Sequence, residues 1–310
     1  GITPPASLSV LAPDLRTAYL QSWNLTIERG LGAAGTVTLA YGASKGTALI
    51  RSLNRNQAPA GPGDVQPRRP DARYGDVFFA ESGANSSFQS LQASWSRTLR
   101  RGFALWAVYT RAKSIDDTSA FLGTKGDKNF PQDSRNYRAE RGLSSYDVPQ
   151  RAAVSFVAPL PAKFELRGIM VAQSGQPFTP LLRFDNSNSG NTGGQFGSDR
   201  PDLLRDPRLG DRTAGRWFDP GAFRIPARYT FGSSGRNVVR GAGYASADAS
   251  VARRFRLSER ANLLLEAQAF NLTNRVNFAL PELFADEPAF GRIFAARAAR
   301  QVQFSARVSF

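Results

Sequence analysis

The last ten residues, Gln301-Val302-Gln303-Phe304-Ser305-Ala306-Arg307-Val308-Ser309-Phe310, alternate polar and apolar without a break and end on an aromatic ring. Side chains alternate across a strand with a period of two. Val302, Phe304, Ala306, Val308 and Phe310 therefore share one face, and Gln301, Gln303, Ser305, Arg307 and Ser309 share the other. Chain ends usually fray, so a strand this regular at a terminus needs a neighbour to hold it. A soluble sandwich can alternate in this way. So does the closing strand of a membrane β-barrel, with its apolar face to lipid and its polar face to the lumen.

Composition narrows the choice. Mean hydropathy is −0.34 and 41% of the residues are hydrophobic. No run of about 18 apolar residues can make a transmembrane helix. A barrel passes that test unseen, because only alternate residues need be apolar. The chain has no Cys and no His, which excludes zinc-type metal sites, Cys nucleophiles and Ser-His-Asp triads; no catalytic, metal or cofactor residue is expected, and no enzyme. The net charge of +15 comes mainly from Arg. These Arg residues are spread along the chain and form neither a basic helix nor an RNA-binding signature. Nucleic acid is set aside in favour of basic loops that meet anionic lipid headgroups. The chain starts at Gly1-Ile2-Thr3 without Met or signal peptide, and is read as the C-terminal portion of something longer.

Candidate strands come in pairs joined by tight turns. Trp23, Leu25 and Ile27 pair across a turn at 29–35 with Val37, Leu39, Tyr41 and Ala43. Leu91, Ala93 and Trp95 pair across Leu99–Gly102 with Phe103, Leu105, Ala107 and Tyr109. Val154, Phe156 and Ala158 precede a turn at 159–163, and Phe164, Leu166, Gly168 and Met170 follow it. Ala247, Ala249 and Val251 precede a turn at 256–260, and Ala261 to Ala269 follow it. Short strands near 47–52 and 76–82, with the terminal one, bring the total to about eleven. Long segments near 53–75, 116–147, 185–242 and 273–300 separate the pairs. Structureless loops this long are uncommon in compact soluble domains. Short periplasmic turns alternating with long extracellular loops describe an outer-membrane barrel, and counting back from Phe310 puts the long segments outside. Trp23, Trp95, Trp106, Tyr41 and Tyr109 lie toward strand ends or on apolar faces, as aromatic girdles do. The fold expected is all-β: an antiparallel transmembrane β-barrel, 1–310 forming the C-terminal part of a larger one.

Other motifs carry less. Asp185 to Gly190 resembles the start of a calcium loop, but position twelve is Phe196 rather than Glu, so a flexible polar loop is the better reading. Asp116, Asp117, Asp133, Glu140 and Asp147 alternate with Arg135, Arg138, Arg141 and Arg151, which suggests a solvated ion-pair network rather than acid–base chemistry. Asn271-Leu272-Thr273 matches a sequon and is read as a strand-edge cap. Gly190 to Gly194 lacks the Lys-Ser/Thr of a phosphate loop.

Several segments together look like one family. They are Tyr109 to Asp117; Arg138 to Gly142 leading to Ser145-Tyr146-Asp147-Val148; Ser174 to Thr179; Arg216-Trp217-Phe218-Asp219-Pro220; Gly235-Arg236-Asn237; Phe270 to Asn274 with Asn277-Phe278; and Phe290-Gly291-Arg292-Ile293. Their order and spacing resemble the C-terminal barrel region of TonB-dependent outer-membrane receptors, in particular the Oar-like subgroup with carboxypeptidase-regulatory-like domains. The resemblance implies a 22-stranded barrel in the full receptor, an N-terminal plug and a TonB box. Neither plug nor TonB box is in this chain. It also implies that Phe304, Ala306, Val308 and Phe310 form the signal read by the barrel-assembly machinery.

The leading expectation is the barrel part of a bacterial outer-membrane receptor that imports a siderophore, glycan or other large nutrient. Gln92, Ser94, Glu266, Gln268, Gln303 and Arg307 would face the lumen. Arg200, Arg205, Arg208, Arg212 and Arg216 would form an anionic-ligand loop, or meet lipopolysaccharide. Expected partners are outer-membrane lipid, lipopolysaccharide, the barrel-assembly machinery, an unknown extracellular ligand, and TonB only through an upstream segment. One alternative is a non-transporting surface or adhesion protein on the same barrel; another is an extracellular β-sandwich that binds a polyanion.

Overall fold

A computed structural model describes residues 5–99, 102–192 and 198–310. Arg100 and Arg101 of the second turn, Gly193 and Gly194, and Phe196 of the calcium-like segment lie outside the described residues. The strands are β1 Leu8–Leu11, β2 Tyr19–Gly30, β3 Thr36–Asn54, β4 Val77–Thr98, β5 Ala104–Asp116, β6 Gly142–Leu143, β7 Gln150–Pro159, β8 Phe164–Gln173, β9 Pro177–Phe178, β10 Asp202–Leu203, β11 Phe223–Arg224, β12 Val239–Arg240, β13 Tyr244–Arg256, β14 Asn262–Phe270 and β15 Gln301–Ser309. One sheet of eleven strands runs β2-β3-β4-β5-β7-β8-β13-β14-β15, with β6 on the end of β5 and β1 alongside the start of β4. The neighbours on this path are all antiparallel; only β1 pairs in parallel. The sheet does not close on itself, and β2 and β15 form its free edges.

An up-and-down path sends alternate connections to opposite ends. Residues 31–35, 99–103, 160–163 and 257–261 turn at one end; 55–76, 117–149, 174–243 and 271–300 cross the other. The four tight turns share one construction. The N–H of Leu31, Leu99, Leu160 and Leu257 each donates to the carbonyl four residues on, of Gly35, Phe103, Phe164 and Ala261, at 2.7 to 2.9 Å. Each Leu continues the outward-facing series of its strand and stays exposed.

The strand total was right, but two of its members were not. The segments near 47–52 and 76–82 are not separate strands. They extend β3 and β4 past the ends of their neighbours, through register shifts at Gly46/Leu49 and Leu49/Ile50 where Ala48 takes φ 55°. An extra residue bends a strand without ending it. The short β1 and β6 complete the eleven instead.

Register sorts the side chains sharply. Across seven strands one rung reads Ile27, Leu39, Ala93, Tyr109, Ala152, Ala172, Ala245; shifted by one residue, the rung on the other face reads Thr26, Ala40, Gln92, Thr110, Arg151, Gln173, Tyr244. The first face is apolar and exposed, with Leu25 at 63%, Leu91 at 56% and Phe304 at 79% of full accessibility. Water would penalise an apolar surface this continuous; hydrocarbon would not. On β3 the outward run Val37, Leu39, Tyr41, Ala43 ends at Lys45, and on β5 Leu105, Ala107, Tyr109 ends at Arg111 and Lys113. Eight steps of about 3.4 Å, tilted by about 40°, give a band ~20 Å tall, near that of a membrane barrel. No helix among the described residues is long and apolar enough to cross a membrane. Trp23, Tyr41, Trp95 and Tyr109 all face outward. Trp106 is the exception and lies on the polar face, between Ser96 and Ser155.

Candidate functional site

The large buried side chains are not in the sheet but in the long connections at its loop end. Phe178, Phe218, Ala222, Phe223, Val239 and Phe290 form one apolar cluster. Phe290 meets Phe218 edge-on at 4.9 Å and Phe223 at 5.5 Å. Two ribbons frame it, β9 with β12 and β10 with β11. Each buried Phe contributes about 2–3 kcal/mol of transfer free energy, so these connections are a folded lobe.

Ion pairs bind that lobe to the sheet. Arg236 is 3% exposed and uses all five of its N–H bonds. Nε donates to the Glu140 carbonyl at 2.9 Å, Nη1 to Asp127 at 2.7 Å and to Ser119 Oγ at 3.2 Å, and Nη2 to both the carbonyl and the carboxylate of Asp116, the last residue of β5. Asn237 Nδ2 donates to Asp127 at 2.9 Å and to the Leu143 carbonyl at 2.7 Å. Arg200 pairs with Glu140, and Arg240 with Asp147, which also accepts from the Ser114 N–H of β5 at 2.6 Å. A buried charge is tolerated when partners and hydrogen bonds replace water; Arg236 meets that condition in full.

This corrects the solvated network expected from sequence. Asp116, Glu140 and Asp147 are buried, and their partners come from the 174–243 connection rather than from the local Arg residues. Only Asp133 with Arg135, at 3.2 Å, and Asp117 with Arg141, at 3.1 Å, pair locally. The expected anionic-ligand loop is likewise broken up. Arg200 is 2% exposed and committed to Glu140, so it cannot meet a ligand. Arg205 and Arg216 share Asp219, at 2.7 and 2.9 Å, and hold its carboxyl below the usual range. Arg208 pairs with Asp206, and Arg212 donates to the Leu209 carbonyl and lies 5.6 Å over the Trp217 ring. Arg205 and Arg216 converge on Asp219, whereas Arg200, Arg208 and Arg212 each point to a different acceptor.

The calcium-like segment is a braced turn rather than a flexible loop. Asp185 accepts from Ser187 Oγ at 3.1 Å and from the N–H of Ser189 and Gly190 at 2.9 and 2.7 Å. No cluster of metal-ligating side chains occurs among the described residues. Asn271 Nδ2 donates to the Arg275 carbonyl at 3.0 Å and caps the exit of β14.

Asp199, fully buried, accepts from the Ser187 N–H and Oγ and from Asn191 Nδ2. Burial pushes its carboxyl up to about 6, outweighing those three donors, and the charge of Asp185 adds to the rise. A carboxyl raised on folding favours the folded form while protonated. Its contribution is complete below the unfolded value near 3.8 and is lost as pH rises through about 6. The turn 185–192 that donates to Asp199 should therefore open more readily at pH 7.5 than at pH 4.5. Hydrogen exchange corrected for intrinsic rates measures this, and slower opening at the higher pH refutes it.

The six residues expected in the lumen, Gln92, Ser94, Glu266, Gln268, Gln303 and Arg307, share one face, the polar one: rungs Ser250-Gln268-Gln303, Ala252-Glu266-Ser305 and Arg254-Leu264-Arg307 lie on it. Phe304, Ala306 and Val308 lie on the apolar face, and Phe310 follows the end of β15 fully exposed.

The sheet aligns with solved structures of low sequence identity. The outer membrane transporter YddB from Escherichia coli covers 99% of this chain at 10% identity with a TM-score of 0.59. The FrpB iron transporter from Neisseria meningitidis covers 96% at 11% identity with a TM-score of 0.45. This chain spans 34% of the first and 33% of the second. Among curated proteins there is no match. The family model for the outer membrane beta barrel domain matches residues 1–303. With an apolar outer face, a polar opposite face and that match across nearly its whole length, the chain belongs to the outer membrane beta barrel domain family and resides in the bacterial outer membrane.

Proposed function

We propose that this chain supplies the C-terminal wall and the ligand-capturing lobe of a TonB-dependent importer of a siderophore, glycan or other large nutrient, within the Oar-like subgroup. One observation carries the reading: all four long connections gather at one end of a lipid-compatible sheet, and buried ion pairs tie two of them, 117–149 and 174–243, to each other and to the end of β5 as a folded lobe. Membrane anchoring alone needs only short connections. In this reading the lobe faces the medium, the tight turns face the periplasm, and Gln92, Ser94, Glu266, Gln268, Gln303 and Arg307 line the passage. Energy enters through a plug and TonB box encoded upstream, and the chain itself carries out no chemical step. The barrel-assembly machinery reads Phe304, Ala306, Val308 and Phe310. The similarity to an outer membrane transporter supports the wall.

The test is uptake of labelled ferric siderophores and oligosaccharides by cells that carry or lack the intact protein. Import that depends on the protein should fall at least about tenfold when TonB is removed or the proton gradient is collapsed. Import insensitive to both, or surface attachment without import, would overturn the energised reading and favour adhesion.

A further inference from the structure

We propose that the cavity between loop segments 184–188 and 225–229 binds an acidic sugar, a pyranose that carries a carboxylate. The inference rests on the lobe being the capture surface. The cavity has a volume of about 670 Å³, and its walls include Phe184, Asn186, Asn188, Ile225, Arg228 and Tyr229. That size suits one or two sugar rings.

Tyr229 is the first clue. It takes φ +69°, a left-handed conformation that disfavours any residue with a Cβ and suits glycine. The strain is held from several directions. The Tyr229 N–H donates to the Asn186 carbonyl at 2.8 Å. Asn186 Nδ2 donates to the carbonyls of Ala227 and Thr230 at 3.0 and 2.9 Å, and Thr230 Oγ1 closes onto Ala227 at 2.6 Å. A tyrosine kept where glycine fits better marks a ring that the surface needs. Phe184 and Ile225 add exposed apolar wall.

The amides are the second clue. Both partners of Asn186 Nδ2 are carbonyls, as are those of Asn188 Nδ2, Gly61 and Gly63 at 2.9 and 2.7 Å. Carbonyls only accept, so both amide orientations are fixed. Neither Oδ1 receives a hydrogen bond among the described residues, so the wall offers acceptors that call for O–H donors.

Arg228 is the third. It stacks on Tyr229 at 4.9 Å and joins no ion pair among the described residues, whereas Arg205, Arg208, Arg216 and Arg224 are all paired. Asp185 also borders the cavity, but its oxygens are engaged by Ser187, Ser189 and Gly190. A free guanidinium calls for an anion. An acidic pyranose has a flat C–H face for the ring, hydroxyl donors for the amide oxygens and a carboxylate for Arg228. A metal–catecholate complex lacks the hydroxyl donors, and a neutral sugar leaves the cation unmatched.

The experiment is calorimetric titration of the intact protein in detergent with trigalacturonate and with its methyl ester. The acid should bind at least about tenfold more tightly than the ester, and Arg228→Ala should erase that difference. Tyr229→Gly should weaken both by about tenfold while the melting temperature holds or rises, because glycine takes φ +69° freely. Equal affinity for acid and ester, no binding of either, or full affinity in Tyr229→Gly overturns the assignment. Energised uptake of another nutrient without trigalacturonate binding overturns this inference alone. Trigalacturonate binding without TonB-dependent uptake upholds it and overturns the importer reading instead.

Discussion

Replacing Arg236 with methionine should unfold the loop lobe while the sheet stays assembled. The substitution leaves Asp116 and Asp127 buried without their shared cation and strips donors from two carbonyls and a hydroxyl. Breaking a buried pair on one side costs about 3–5 kcal/mol, enough to undo a lobe whose apolar cluster is small. Arg208→Met, which breaks an exposed pair with Asp206, should change nothing measurable. Protease nicking within 117–149 and 174–243 on whole cells reports the lobe, and heat-modifiable mobility on gels reports the wall. Charge is the proposed cause, so Asp116→Asn and Asp127→Asn added to Arg236→Met should restore part of the resistance. Undiminished resistance in the single variant would mean that the aromatic cluster holds the lobe unaided. No recovery in the triple variant would mean that geometry, not charge, was lost.

The sheet was legible in the sequence because period-two alternation is a local property that survives in any register. The same locality explains what was misplaced. Asp116 and Arg236 lie 120 residues apart, and nothing near either names the other. Reading the carboxylates against their nearest Arg residues therefore produced a solvated network where the fold builds a buried one. Phe178, Phe218 and Phe290 stand in segments that the family resemblance picked out and Phe223 stands outside them, and without periodicity no pattern gathers the four into a core. The extension of β3 through Ala48 was missed although Gly46 borders the register shift and Gly83 is skipped on β4, because a Gly between two apolar runs reads equally well as a turn or as a bulge. The strain at Tyr229 is visible only in the backbone.

The assignment of faces makes the second large prediction, and adjacent residues of one strand test it. Phe304 ends the rung Val251-Ala267-Phe304 on the apolar side, and Gln303 ends Ser250-Gln268-Gln303 on the polar side. Backbone environment, distance from the strand ends and edge position are nearly the same for both, so a difference between them isolates the face. In the intact protein refolded into lipid vesicles, Phe304→Arg should cost about 2–4 kcal/mol, the value for a cation near the bilayer midplane, and Gln303→Arg close to nothing. The intact protein is required because β2 and β15 carry unpaired edges, which hydrocarbon does not tolerate. Urea titration of the vesicle-bound protein gives both values. Equal costs would mean that both faces meet the same medium, as in a water-filled or soluble sheet. A reversed order would turn the wall inside out and move Gln92, Ser94, Glu266, Gln268 and Arg307 to lipid along with Gln303. Since register ties every rung to its neighbours, this single pair of variants decides the orientation of the whole sheet.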